Sequence, residues 1–171
     1  MREPQRVIPP SVNVLILTLD GIESRLSTFL PNGYEQTFVA SSELNYSLNG
    51  TPLVDGIAYE SKRVLTIGAV CTAQNKTALL QIFQRSERKR RTQAAGFGII
   101  VHDLIGSVVE DVSRTRALAN GATVLPLAGG GCEYFAQFEY QLYEPKVVPT
   151  GNGILTHQVN FVLKELRKVA A

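Results

Sequence analysis

The chain has 171 residues, 17 Lys and Arg against 15 Asp and Glu, and a net charge of +2, so it is not a polycation built to coat nucleic acid. A hydrophobic fraction of 44% over this length suffices for one domain with a sizeable core. No apolar run reaches the ~18 residues of a membrane span, and the opening MREPQRVIPP lacks the apolar segment of a signal peptide, which fits a protein made and used in the cytoplasm or assembled there into something larger. Fourteen glycines and eight prolines favour turns and strands over long helices. Cys71 and Cys132 belong to no CxxC or Cys/His cluster and read as two buried, reduced thiols.

In chain order, residues 1–11, with Pro4, Pro9 and Pro10, read as an extended arm that a neighbour could order, and residues 12–171 as a single β-rich domain. Val12 to Leu19 is an apolar strand, followed by the turn signal Asp20-Gly21. Residues 21–42 read as loop-rich. They carry a weak helical stripe at Ile22, Leu26 and Leu30, stopped by Pro31, and one short strand near Thr37 to Ala40. Leu44 to Val54 and Ile57 to Val70 flank Asp55-Gly56, a hairpin signal, since both central turn residues of the favoured type need positive φ. Asn49-Gly50 inside the first arm suggests a bulge or a second turn, and Pro52 argues against a central strand there.

Val64 to Val70 alternates between two largely apolar faces and reads as a strand covered on both sides. The period then changes. Ala78, Leu79, Ile82 and Phe83 form one helical stripe, Thr72 is placed to cap the first turn, and the helix extends to about Arg90. Arg85, Arg88, Lys89, Arg90 and Arg91 crowd its last turns, where positive charge suits the helix dipole. Phe97 to Asp103 is a strand, while Leu104, Ile105, Val108, Val109 and Val112 fit either a strand or an amphipathic turn. Ala122 to Leu127 contains Pro126 and reads as an edge strand, with a flexible turn at Gly129-Gly130-Gly131.

The cleanest alternation follows. Tyr134, Ala136, Phe138, Tyr140 and Leu142 make one face, and Glu133, Gln137, Glu139 and Gln141 the other, which predicts one buried and one wet face. Pro145 and Pro149 are expected to end that strand. Leu155, His157, Val159, Phe161 and Leu163 alternate again, and the tail LKELRKVAA fits a continued strand or a helix. The fold class expected is therefore α+β, mainly β: an antiparallel sandwich or barrel with one principal flanking helix.

No catalytic, cofactor-binding or metal-binding residue is assigned. The triple glycine precedes a strand, whereas a phosphate cradle needs a helix N-terminus after it. His102-Asp103 with Cys132 or a serine would make a triad only by spatial coincidence, since no nucleophile-elbow context surrounds them. The Arg85–Arg91 run could grip phosphates or an acidic protein surface, or be a solvated helix end. It is expected to contact protein rather than DNA, because the rest of the chain supplies no basic track.

The segment YESKRVLTIGAV followed by TALLQIFQRSER resembles the strand-then-helix unit of distal tail and baseplate proteins of tailed bacteriophages. SRTRALANG with its glycine turn, then YFAQFEYQLYEP and ILTHQVNFVLKEL, is similar to their last two strands. The resemblance to the tail-tube-like family covers about residues 43–166 and not residues 1–42. It implies a structural subunit and no enzyme: a ring of copies at the junction of tube and baseplate, as a tube initiator or distal tail-like protein. Its implied partners are its own copies and adjacent tube or baseplate hub proteins, with DNA only as passing cargo, in a virion tail assembled in the host cytoplasm. No membrane contact is implied. On that reading the edges of the strands at 132–143 and 154–164 would pair in the ring, and the wet face of Glu133, Gln137, Glu139 and Gln141 would line the channel. The alternatives are a small β-barrel nucleic-acid-binding module and an enzyme of unknown chemistry.

Overall fold

A computed structural model describes residues 13–39, 43–49, 52–55, 61–150 and 156–171. The expected arm at 1–11 and Gly56 of the Asp55-Gly56 turn lie outside these residues. The described residues are mainly antiparallel β with one helix, as the alternating patterns predict. Its elements are β1 Leu15–Leu19, β2 Ile22–Leu26, β3 Thr28–Val39, β4 Glu43–Tyr46, β5 Pro52–Asp55, β6 Lys62–Thr72, α1 Ala73–Arg91, β7 Ile99–Asp103, β8 Val108–Glu110, β9 Leu125–Pro126, β10 Cys132–Tyr134, β11 Gln137–Pro149 and β12 Thr156–Glu165. Seven strands form the main sheet in the order β2-β1-β7-β11-β12-β6-β3. A three-stranded sheet has the order β8-β10-β9, with Pro126 on an edge strand as expected, and β4 and β5 pair as a hairpin.

The registers put Leu15, Leu17 and Leu19 of β1 on one face with Val101 of β7, Phe138 and Leu142 of β11, Leu163 of β12 and Leu65 of β6. All belong to one buried cluster, which α1 joins through Leu79 and Ile82, both 0% exposed. Phe83 is half-buried against the same cluster. Each of these burials stabilises the fold by ~1.5–3 kcal/mol. The helix begins where the sequence places it: Thr72 Oγ1 accepts from the Asn75 N–H at 3.3 Å. A smaller cluster of Ile16, Leu104, Ala119 and Phe135 packs separately. There Leu104 N–H donates to the Val14 carbonyl and Ala119 N–H to that of Phe135. No described helix is long and apolar enough to cross a membrane.

Several expectations need correction. Residues 21–42 are not loop-rich: Ile22–Leu26 and Thr28–Val39 are strands. The turn between β1 and β2 is Asp20-Gly21, with φ of 50° and 81°. Pro31 and Asn32 interrupt nothing because they sit in a register shift of β3 against β6 between Phe29 and Tyr34, where Asn32 has φ 57°. Leu44 to Val54 does not pair with the strand after it but folds on itself as β4 and β5, reversing around Leu48-Asn49, while β6 pairs with β3 and β12.

The strand at 132–143 is two strands, β10 and β11, which belong to different sheets. β11 runs through Pro145, which falls in a bulge between Tyr143 and Lys146 beside Glu144 at φ 50°. Nor are β11 and β12 edges: both are central in the main sheet. The supposed wet face is covered, with Glu133 6%, Glu139 8% and Gln141 8% exposed. The chain segments around residues 117 and 166 pass over it. Leu166 N–H donates to the Glu139 carbonyl, Arg167 pairs with the Glu139 carboxylate at 2.6 Å, and Gln137 Nε2 donates to the Leu118 carbonyl. A channel lining cannot be built from these side chains.

Candidate interaction site

The apolar rows of the main sheet end in charge. β6 carries Arg63 in phase with Leu65, Ile67 and Ala69; β7 carries Asp103 in phase with Ile99 and Val101; β12 carries Glu165 in phase with Val159, Phe161 and Leu163. Sheet pairing brings the three ends together. Arg63 Nη2 meets Asp103 Oδ2 at 2.8 Å, with side chains 2% and 0% exposed. The same nitrogen donates to Tyr34 Oη at 2.6 Å and Gln36 Oε1 at 2.5 Å, both from β3. Tyr34 Oη donates to Asp103 Oδ2 at 2.5 Å. The other Asp103 oxygen accepts from the N–H groups of Ile105 and Gly106 at 3.0 and 3.1 Å. Gly106 is needed for closeness: a Cβ there would lie 2.3 Å from Tyr34 Oη and 2.5 Å from Arg63 Nη2.

Glu165 joins this pair to a second one. Its Oε2 accepts from the Arg63 backbone N–H at 2.9 Å, and its Oε1 pairs with Arg116 Nη1 at 2.6 Å. Both guanidiniums lie near the Phe138 ring, 4.5 and 4.9 Å from its centroid, a cation–π arrangement. Beyond Arg116, its backbone N–H donates to Tyr134 Oη at 3.1 Å, and Tyr134 Oη donates to Glu110 Oε2 at 3.0 Å. Burial pushes the Tyr134 phenol up to about 12, and burial likewise raises those of Tyr34 and Tyr140. Burial also pushes the Glu110 carboxyl up, but hydrogen bonds from Thr115 and Tyr134 outweigh it and hold the group below its usual range.

This network is not closed. Arg63 Nε and Nη1 are buried and have no hydrogen-bond partner among the described residues. Arg63 also lines a cavity of about 350 Å³, with Phe38, Val108, Val109, Arg116 and Phe138 among its walls. A buried donor without an acceptor costs ~1–3 kcal/mol, which an incoming acceptor recovers.

The residues singled out in the sequence end up elsewhere. His102 Nδ1 accepts from the Asn120 N–H at 3.0 Å, Asp103 serves Arg63, and the Cys132 thiol faces the Val112 carbonyl at 3.6 Å. The three are committed to separate partners and form no triad. Cys71 and Cys132 are both buried free thiols. The triple glycine turns β9 into β10, with the Leu127 N–H bonded to the Gly131 carbonyl at 2.8 Å. The basic run is partly spent on the protein itself. Lys89 pairs with Asp20 at 2.7 Å, Arg85 lies 3.7 Å from the same carboxylate, and Arg90 pairs with Glu87 at 2.9 Å. The hydrogen bond from Lys89 holds the Asp20 carboxyl below its usual range. Arg88 and Arg91 remain exposed. No group of three or more metal-ligating side chains occurs among the described residues.

Compared with known proteins, the chain matches no protein-family model, and no curated protein matches it either. Among solved structures, it is similar to a chain from the tail of an empty GTA particle refined with C6 symmetry. That likeness has 10% identity, a TM-score of 0.43, and coverage of 99% of this chain and 98% of the other.

Proposed function

We propose that the chain is a structural subunit of a bacteriophage tail, which forms a ring with its own copies at the tube/baseplate junction as a tube initiator or distal tail-like protein. It has no catalytic step of its own. The observation that carries this reading is the asymmetry of the main sheet's two edges. At one end, β2 is covered by α1: Asn75 accepts from the Arg25 N–H at 3.2 Å, and Ser24 Oγ donates to the Asn75 carbonyl at 2.9 Å. At the other end, no described strand pairs with the outer side of β3, which is 12 residues long and exposes Phe38 and Val39 by 64% and 55%. A long edge strand with exposed apolar residues is one that a monomer has to protect and an assembly can cover. With the opposite edge already covered, a ring requires the neighbour to meet β3 with a surface other than its own β2 or β3 edge. The contact is then head-to-tail, and it closes into a ring when the rotation per subunit divides a full turn.

The tail context comes from the sequence resemblance over residues 43–166. Adjacent tube and baseplate hub proteins are the other partners, the virion tail is the location after assembly in the host cytoplasm, and DNA only passes through. The use of Arg85, Lys89 and Arg90 in internal pairs supports a protein-facing rather than a DNA-gripping role for the basic run. The test is the assembly state of the purified chain by light scattering and electron microscopy. Closed rings are expected. A monomer, or a two-fold dimer joined through β3 alone, would contradict the reading, and salt-dependent DNA binding lost on changing Arg88 and Arg91 to Ala would favour the nucleic-acid alternative.

A further inference from the structure

We propose that the outer stripe of α1 from Gln81 to Arg91 docks an acidic segment of a partner protein other than this chain, with Arg88 and Arg91 as its two anchors. The inference rests on the protein-facing reading of the basic run and places that contact away from β3. The cations at the end of α1 are not equivalent. Lys89 and Arg85 turn to Asp20, and Arg90 takes both Glu87 oxygens, at 3.1 and 2.9 Å. The guanidiniums of Arg88 and Arg91 make no ion pair or hydrogen bond among the described residues. Arg91 acts only at a distance, adding to the field by which Arg90 holds the Glu87 carboxyl below its usual range. Gln81, Gln84, Arg88 and Arg91 recur at the three- and four-residue spacing of one helix face, and all four are exposed. They border a hollow of about 570 Å³, which Phe83, half-buried, also lines. Glu87, the one carboxylate lining it among the described residues, is already held by Arg90.

The charges choose the kind of occupant. Two guanidiniums one turn apart repel each other, and a carboxylate from outside relieves that repulsion. Each guanidinium can grip a carboxylate through two parallel hydrogen bonds. Duplex DNA asks for something else, a run of cations along a backbone that carries a charge every ~1.7 Å. Here the basic track ends after two residues, because Arg85, Lys89 and Arg90 are spent within the chain. The glutamines supply donors and acceptors for a partner's backbone, and Phe83 supplies an apolar contact. The fitting segment is therefore extended or helical, with two carboxylates close together and an apolar residue beside them. A second copy of this chain does not offer it. Among the described residues, the exposed carboxylates Glu23, Glu35, Asp111 and Glu144 stand singly on separate elements, and Arg25 already holds Glu23 at 2.5 Å.

The direct test is titration of the purified full chain, at physiological salt, with a fluorescein-labelled peptide of repeated Glu-Glu-Leu and with a short DNA duplex. The peptide should bind saturably. Arg88→Ala/Arg91→Ala should weaken it roughly tenfold or more, with the melting temperature unchanged because both side chains are exposed. Lys76→Ala/Lys146→Ala removes the same charge from elsewhere on the chain and should change the affinity by about twofold or less. Equal losses in the two double variants would reduce the contact to net charge and overturn the stripe. So would duplex DNA that binds more tightly than the peptide and is lost with Arg88 and Arg91. If Arg88→Ala/Arg91→Ala abolishes ring formation, the stripe belongs to the contact between copies and the separate partner falls. A wild-type chain that binds the peptide through Arg88 and Arg91 but never assembles would remove the ring and leave this inference standing.

Discussion

One sheet face carries two kinds of interior. Under α1, the rows of β1, β6, β7, β11 and β12 are aliphatic and aromatic, closed by Leu79 and Ile82. At the start of β6 the same rows end in Arg63, Asp103 and Glu165, closed by Arg116 from outside the sheet. Both regions exclude water, but by different means. The apolar region needs only volume and shape, which many side chains supply. The ionic region must match every charge and donor, because a buried pair is stabilising only with good geometry and satisfied remaining groups. Arg63 Nε and Nη1 and the Tyr140 hydroxyl stay buried there without a hydrogen-bond partner among the described residues. The apolar end is fully matched, and the ionic end keeps buried donors without acceptors among the described residues.

Substitutions can break this contrast. The largest loss is expected for Ile82→Asp, which puts an unpaired charge into the apolar end; unfolding in urea should show a loss above ~4 kcal/mol. Asp103→Ala should cost ~3–5 kcal/mol, because it leaves Arg63 charged and buried without its counter-ion. The double variant Arg63→Met/Asp103→Leu should lose less than Asp103→Ala alone, a result that no purely additive packing account gives. Gly106→Ala should cost ~1–3 kcal/mol by forcing a methyl into the space between Tyr34 and Arg63, and equal stability to wild type would contradict the packing described for that turn.

The smallest effect is set by pH. Burial lowers the pKa of His102 below its ordinary value of 6.5, so the folded state holds it neutral with Nδ1 accepting from Asn120. Protons then bind the unfolded chain more readily. That part of the stability is complete above 6.5 and falls as the pH drops below it. His102→Gln should flatten this step in thermal melts. A second loss should follow below about 4.5, where Glu110, ordinarily 4.5, is held lower in the fold and gives up its contribution as it protonates. A melting temperature constant from pH 7 to pH 5 in the wild type would show that His102 is not held neutral.

How much of this was legible follows from what alternation can report. The change of period at Thr72 placed α1, its cap and its buried stripe correctly. The alternation of β11 separated its two faces correctly but could not say what lies over each. Glu139 and Gln141 look solvent-facing in sequence, yet residues 117 and 166, distant along the chain, close over that face. β3 was hidden because Pro31 and Asn32-Gly33 read as breaks, whereas an edge strand can place them in a bulge. There Gly33 approaches the next strand so closely that a Cβ would fall 2.1 Å from the Gly68 carbonyl. The ionic centre did leave a trace: Arg63, Asp103 and Glu165 each fall in phase with a buried apolar row, where a charge demands a partner. Arg116 left none, since the segment around it has no period and is placed by single bridges to Ala170 and, at Leu118, to Ala136.

The proposed ring closes through β3, the edge of the main sheet that no described strand pairs. The most direct measurement is cryo-electron microscopy of the purified full chain at concentrations where light scattering detects assembly. The account predicts closed rings of one fixed copy number, with β3 covered by the next subunit. Particles that remain monomeric at all concentrations, or rings in which β3 faces solvent, would contradict it.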